Sequence, residues 1–146
     1  MKKAFLCMLV LLGLLPYFLG FYINERALTP IPFFVSLLFL LSLACIAFLA
    51  NRMLNDPKAV VIAMNLAAGL DLLLVGFQEL ILGRYWVGWF GAATQLYYLP
   101  VLGLGFSVTP WTHTLFSAYL ASFLLMAAAS YLGCRLEKAI ISRLKS

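Results

Sequence analysis

The strongest constraint on this chain is a series of long apolar runs, separated from one another by short polar segments. The runs at residues 4–22, 30–49, 57–82 and 110–134 match or approach the roughly 20 residues that a helix needs to cross a bilayer. A helix satisfies its own backbone hydrogen bonds inside lipid, which a bare loop cannot do. The pattern predicts an all-α polytopic membrane helix bundle, with residues 1–146 forming a single integral membrane domain.

The composition supports the membrane class and excludes three others. Hydrophobic residues make up 65% of the chain and charged residues 10%, against about 45–50% and about 25% in a soluble domain. A soluble enzyme, a secreted disulfide scaffold and a disordered chain are therefore excluded. The three cysteines form no C-x-x-C pair and have no metal-ligand spacing. We predict no metal and no cofactor.

The net charge of +5 comes from basic residues that lie in loops and tails beside the apolar runs. Such residues orient a membrane protein and contact anionic lipid headgroups. We therefore predict the lipid bilayer as a partner and no nucleic acid.

The first run follows Lys2 and Lys3, as in a secretory signal, but it lacks an A-x-A cleavage pattern. We expect an uncleaved signal-anchor helix.

Proline positions predict where helices begin and bend. Three prolines directly follow a residue whose side chain can cap a helix, and proline suits the first helical position because it lacks an N–H. These pairs are Thr29-Pro30, Asp56-Pro57 and Thr109-Pro110. Pro16 lies inside the first run and predicts a kink there. The short turn at residues 51–56 predicts an antiparallel hairpin of the second and third helices.

The segment at residues 84–108 has two interpretations. It is apolar enough to cross as a fifth helix, but it contains Pro100, four glycines and several aromatic residues of the kind that favour the headgroup zone. If it does not cross, eight basic residues lie on one side of the membrane and two on the other. Because basic residues concentrate in the cytoplasm, this split favours four crossings with both termini cytoplasmic. The segment is then interfacial or re-entrant on the outer face, and five crossings remain the alternative.

The last residues, 135–146, predict a short basic extension. Leu136, Ile140 and Leu144 recur at four-residue spacing with basic residues between them. This spacing predicts an amphipathic helix on the inner leaflet. A tail whose long basic side chains reach back to the headgroups fits equally well.

Asp71 is the most informative residue for function, since it falls near the middle of the third run. A charged carboxylate at the bilayer centre costs about 2.5–3.5 kcal/mol on insertion scales. No basic residue lies at a matching depth in any run, so we expect this carboxyl to be neutral for part of the time. It is either a proton or cation site or a neutral carboxyl that is hydrogen-bonded to a neighbouring helix.

Other polar residues lie near Asp71 or at the outer surface. Gln78 is seven residues further on and shares its helical face, while Glu79 lies within one turn of the outer end, facing headgroups or pairing with Arg84. Asn65, with Gly69 four residues later, predicts a close helix contact with an interhelical hydrogen bond. The candidate binding set is Asp71, Gln78, Glu79 and His113.

His113, the single histidine, opens the last run at the predicted outer surface. With Glu79, Arg84 and Gln95 it would line an outward-facing vestibule. A lone interfacial histidine is also commonly just solvated, and one histidine supplies neither bis-histidine haem ligation nor an ordinary zinc site.

Two functions fit the sequence, and a third fits poorly. The first is a transport or permeation protein with a polar site at Asp71. The second is a non-catalytic accessory subunit, or a homo-oligomer, that associates through small residues at four-residue spacing: Ser117/Ala121, Ala118/Ser122 and Ala129/Gly133. An intramembrane enzyme is not expected, because no nucleophile–base pair or catalytic motif is visible.

Overall fold

The structure, a computed structural model, describes residues 2–26, 33–111 and 114–144. Within these ranges the chain is helical and contains no strand. The elements, in chain order, are α1 (Lys2–Leu12), α2 (Leu15–Glu25), α3 (Phe33–Leu54), α4 (Pro57–Gly76) with a π-helical turn (Phe77–Ile81), α5 (Trp89–Leu96), α6 (Leu99–Val108) and α7 (Leu115–Leu144).

Among the described residues, four helical stretches are long and apolar enough to cross a membrane: Lys2–Glu25, Phe33–Leu54, Pro57–Ile81 and Leu115–Arg143. The predicted membrane helix bundle is therefore confirmed. The first stretch joins α1 and α2 across a short break, and the third joins α4 to the π-helical turn without a gap.

Contacts between helices fix their relative directions. Gly76 packs against Phe116 while Asn65 bonds Ser130, so α4 and α7 are antiparallel. On the other side of α7, Asn51 bonds Glu137. Gly133 packs on Ala44, so α3 and α7 run in the same direction.

One end of the bundle collects most of the basic residues. Lys2 lies beside Leu54, and Lys58 lies beside Arg135 and Lys138, so the start of α1, the α3–α4 turn and the end of α7 share this end. We call it the basic end; its described cationic residues are Lys2, Lys3, Arg52, Lys58, Arg135, Lys138 and Arg143. Arg26 and Arg84 follow α2 and the π-helical turn at the opposite end.

The helices α5 and α6 form a re-entrant pair. The hydroxyl of Ser122 lies 3.5 Å from the carbonyl of Val101, and Gly105 packs on Ala118, so α6 is antiparallel to α7 and returns to the end where α7 begins. Since α4 also finishes at that end, α5 and α6 enter and leave on the same side. The segment predicted at residues 84–108 is thus re-entrant, and the alternative with a fifth crossing does not form.

Two of the proline-based predictions have different outcomes. Asp56 caps α4 as expected, because its carboxylate accepts a hydrogen bond from the N–H of Ala59 at 3.1 Å. Thr109 does not cap the last helix. Its hydroxyl donates instead to the carbonyl of Gly105 at 2.9 Å and so ends α6, and α7 begins at Leu115 rather than at Pro110. Thr29-Pro30 lies outside the described residues.

Two helices continue further than predicted at the basic end. The second run was expected to end at residue 49 and the last at residue 134, but α3 reaches Leu54 and α7 reaches Leu144. The reason is a polar contact beyond the apolar runs, in which Asn51 bonds Glu137 and keeps both helices together. The expected tail is therefore a continuation of α7 as far as Leu144, and residues 145–146 lie outside the described part. At 1.5 Å per residue, the 30 residues of α7 span about 45 Å, against about 30 Å for a bilayer core.

Candidate functional site

The candidate site centres on the Asp71 carboxyl, which α4 carries 14 residues after it begins at Pro57 and ten residues before the π-helical turn ends at Ile81. Its Oδ2 atom is buried and accepts no hydrogen bond from any described residue. The described basic residues all lie near helix ends or in loops, far from this depth. Asp71 is thus an acid in the middle of the bundle without a described cationic partner.

Asp71 opens into a groove between α4, the first interrupted helix and α5. The groove has a volume of about 360 Å³ and is mostly apolar. Its polar lining comes from Asp71, Tyr17, Thr94 and Tyr97. A carboxyl, two phenols and a hydroxyl therefore share one concave surface.

The first interruption lies directly beside this groove. Pro16 has no N–H to donate, and the chain turns at Gly13 and Leu14 before α2 begins. The N–H of Tyr17 bonds the carbonyl of Leu14 at 3.0 Å, which leaves the carbonyl of Gly13 without its helical donor. The hydroxyl of Tyr97 takes that place and donates to it at 2.5 Å. The kink predicted at Pro16 is confirmed as a break of the helix.

The second interruption separates α5 from α6 at Tyr97 and Tyr98, two residues before Pro100. Pro100 cannot donate to the carbonyl of Leu96, and this carbonyl lies against Gly20 of α2. Any side chain at Gly20 would collide with it. The two breaks therefore lie against each other. The hydroxyl of Tyr97 bonds the carbonyl freed at Gly13, and Gly20 leaves room for the carbonyl freed at Leu96.

A cluster of tyrosines joins the second break to α4 and α7. The hydroxyl of Tyr98 donates to the carbonyl of Ala68 at 2.5 Å, one turn before Asp71. The ring centroids of Tyr97 and Tyr98 are 5.2 Å apart, and those of Tyr98 and Tyr119 are 5.7 Å apart. Tyr97 lines the groove together with Asp71, and the ring contacts connect it through Tyr98 to Tyr119 on α7.

Gln78 does not line the groove with Asp71, although the two residues share a helical face. Its side chain is fully buried, and its Nε2 donates to the hydroxyl of Thr94 at 3.1 Å. Its Oε1 accepts a hydrogen bond from the N–H of Trp86 at 2.9 Å. The amide thus fastens α5 and the preceding loop onto the end of α4. It reaches the groove only through Thr94.

Glu79 accepts a hydrogen bond from the hydroxyl of Tyr85. This partner was not among those predicted from the sequence, which were headgroups or Arg84. Burial, followed by the Glu79 carboxylate, raises the pKa of Tyr85 above its ordinary value. Glu79 lies in the π-helical turn and Tyr85 lies in the loop that follows it, and neither lines the groove. His113, expected to share a vestibule with Glu79, lies outside the described residues.

The predicted helix contact at Asn65 is confirmed. Its Nδ2 donates to the hydroxyl of Ser130 on α7 at 3.0 Å and to the carbonyl of Val61 at 2.9 Å. Sequence reasoning missed a second polar contact between helices, in which Asn51 donates to the carboxylate of Glu137 at 2.7 Å. Glu137 is only 3% exposed. The sequence did not mark Glu137 as buried, because it lies between Arg135 and Lys138 in a segment that was expected to be a basic tail.

Most of the small-residue pairs on α7 are used within the chain. Gly105 of α6 packs against Ala118 and Ser122, and Gly133 packs against the backbone of Ala44 on α3.

Within the described ranges, no group of three or more His, Cys, Asp or Glu side chains could hold a metal ion.

Comparison with protein-family models, with curated proteins and with solved structures finds no match.

Proposed function

We propose that this chain is a small transport or permeation protein and that the Asp71 carboxyl is the site where a proton or a small cation binds. One observation carries the proposal: Oδ2 of Asp71 is buried without a hydrogen-bond partner among the described residues, beside two interrupted helices. Buried polar atoms are nearly always bonded, and a carboxyl kept for structure alone would be bonded to a neighbouring helix.

The helix breaks support the same function. In transport proteins, interrupted helices near the bilayer midplane supply backbone carbonyls that bind the transported or coupled ion. Here the carbonyl of Gly13 lies at the first break and accepts the hydroxyl of Tyr97, which lines the groove together with Asp71. A rotation of this phenol would release the Gly13 carbonyl next to Leu14 of the groove. It would add a backbone oxygen to the carboxyl and hydroxyl oxygens there, which are the ligands that a proton or hard cation needs.

The alternative function, an accessory subunit, finds less support. It relied on small residues as surfaces for a partner, and two of the three pairs pack inside this chain. The third pair, Ser117 and Ala121, lines a groove beside Val108 and Thr109. Nothing in its chemistry favours a particular partner.

The test of the proposal is ion flux in proteoliposomes that hold a pH-sensitive dye. With a potassium diffusion potential as the driving force, the wild-type protein should acidify or alkalinise the lumen according to the sign of the potential. Asp71→Asn should reduce this flux at least tenfold. Asp56→Asn is the matched control, since it removes one acid at the α4 cap and asparagine caps a helix equally well.

Two outcomes would overturn this function. One is an Asp71→Asn flux equal to that of the wild type, and the other is a wild-type flux no larger than that of empty liposomes. Both variants must elute as monodisperse protein in detergent, so that a lost flux is not read from misfolded material.

We further propose that the protein lies in the cell membrane with its basic end in the cytoplasm, following the basic-residue asymmetry. Val87 is 96% exposed in the loop before α5, and Met53 is 69% exposed at the basic end. In a cysteine-free background, an impermeant maleimide should label Val87→Cys in intact cells and Met53→Cys only after permeabilisation. The reverse pattern would invert the topology.

A further inference from the structure

A cleft at the basic end joins three cationic side chains to an apolar wall. It lies between the first turns of α4 and the last turns of α7 and has a volume of about 420 Å³. Three of the lining residues are cationic: Lys58, Arg135 and Lys138. The rest of the lining is formed by Pro57, Val61, Ile62 and Tyr131. This cleft shares no lining residue with the groove at Asp71.

The charged and apolar groups are separated along the membrane normal. On α4, Lys58 precedes Val61 and Ile62 by one turn, and on α7, Tyr131 precedes Arg135 and Lys138. Since the two helices are antiparallel, the cations of both lie toward the basic end and the apolar residues lie toward the middle of the membrane. A ligand that fits has a negative head and an apolar body.

Local contacts give these side chains a defined arrangement. The guanidinium of Arg135 lies over the ring of Tyr131, 6.0 Å from its centroid. Two acids lie nearby along the chain, but Asp56 caps α4 and Glu137 accepts the amide of Asn51, and neither lines the cleft. The lining of the cleft therefore contains three cations and no acid.

We propose that this cleft is a binding site for one anionic phospholipid of the surrounding bilayer, with its phosphate held by Lys58, Arg135 and Lys138 and an acyl chain along Ile62. Basic pockets between membrane helices on the cytoplasmic side bind anionic headgroups in this way. Ile62 is 65% exposed, so the apolar wall is open to an acyl chain. A free phosphate would leave this wall uncovered, which favours the lipid as the occupant.

The test is native mass spectrometry of the full chain in mild detergent, titrated with phosphatidylglycerol or with phosphatidylcholine of the same acyl chains. The wild type should retain one phosphatidylglycerol at least tenfold more tightly than one phosphatidylcholine. The variant K58Q/R135Q/K138Q should lose this preference. The control K3Q/R52Q/R143Q removes three charges from the same end, outside the cleft, and should keep it.

A second variant tests the apolar wall. Ile62→Ser should weaken phosphatidylglycerol binding severalfold without affecting the fold, since this side chain is largely exposed. Inorganic phosphate at millimolar excess should not displace the lipid.

Three results would overturn the proposal. They are equal retention of the two lipids by the wild type, unchanged retention in K58Q/R135Q/K138Q, and displacement of the lipid by inorganic phosphate, which would make this a site for free anions.

Discussion

The bundle has two regions that differ in the continuity of their helices. In the first, which we call the continuous pair, α3 and α7 are uninterrupted and run side by side. In the second, the interrupted pair, the α1–α2 helix and the α5–α6 helix are both broken next to a proline, and their breaks face each other. The continuous pair provides close backbone packing, whereas the interrupted pair provides backbone carbonyls that lack their helical N–H donors.

The two buried acids follow the same division. Glu137 belongs to the continuous pair and accepts a hydrogen bond from Asn51 at 2.7 Å. Asp71 faces the interrupted pair, and its Oδ2 has no partner among the described residues. Glu137 therefore helps to hold two helices together, whereas Asp71 keeps an unpaired oxygen, to which the proposed function assigns a ligand. We expect substitutions in the two regions to affect stability and flux separately.

The largest loss of stability is expected at the contact of α7 with α3. A Cβ at Gly133 would collide with the carbonyl of Ala44, and both groups belong to helix backbones that cannot yield cheaply. Overpacking of this kind costs about 1–3 kcal/mol, so Gly133→Ala should lower the free energy of unfolding by about 2 kcal/mol.

Gly103→Ala is the matched control, because nothing lies within 4 Å of a Cβ built at Gly103. It should be neutral or gain up to about 1 kcal/mol from the helix preference of alanine. Reversible unfolding in mixed micelles, followed by circular dichroism, measures both variants. Equal stability of the two variants would show that the continuous pair is not closely packed.

The next largest effect is expected at Asn51. Replacing it by alanine leaves the buried Glu137 carboxylate without its amide donor, and an unsatisfied buried group costs about 1–3 kcal/mol. The double variant N51A/E137L should recover most of that loss, because it removes both polar partners together. Asn24→Ala, at an exposed position, should change little. A double variant that is no more stable than Asn51→Ala would mean that the two side chains are not coupled.

A smaller effect on stability is expected where the two breaks meet. Tyr97→Phe removes the hydroxyl that donates to the Gly13 carbonyl and should cost about 1 kcal/mol, the usual net value of a hydrogen bond. Tyr22→Phe, at an exposed tyrosine, is the control. Because the Gly13 carbonyl would become free, Tyr97→Phe should also change proteoliposome flux more than Gly133→Ala does. An unchanged flux would separate the break from the site.

The smallest effect on stability is expected at Asp71. Asp71→Asn keeps the shape of the side chain and loses no described hydrogen bond at Oδ2, so its free energy of unfolding should lie within about 0.5 kcal/mol of the wild type. The same micelle unfolding experiment measures it. A loss of more than about 2 kcal/mol would assign Asp71 to the structure and remove the contrast with Glu137.

The fold was predictable from sequence to the extent that it depends on apolar length and basic-residue asymmetry. Those two features predicted the four crossings and an interfacial or re-entrant segment at residues 84–108, whereas the break in the first helix was predicted from Pro16. Helix ends were less predictable, because α3 and α7 continue beyond their apolar runs on the strength of one polar contact, Asn51 with Glu137. That contact joins residues 86 positions apart, and no local pattern marks it.

The site was predictable only at its centre. The apolar context alone identified Asp71. Gln78 shares the helical face of Asp71, but its amide bonds Thr94 and the N–H of Trp86 instead of lining the groove. The contribution of Tyr97 and Tyr98 was hidden, since aromatic residues in such a segment also favour the membrane interface. One sequence signal could have identified them. The dipeptide Leu-Pro occurs at Leu15-Pro16 and again at Leu99-Pro100, and each copy lies at one of the two facing breaks.

The most direct test of the central claim is whether water reaches position 71. In a background with all three native cysteines replaced by alanine, Asp71→Cys should react with a charged methanethiosulfonate reagent, because the thiol must ionise in water to react. Leu73→Cys is the control, because the native side chain is 71% exposed on the same helix and does not line the groove, so it should remain unmodified. A cysteine at 71 as inert as one at 73 would contradict the account, since a site that water does not reach cannot exchange a proton or a cation.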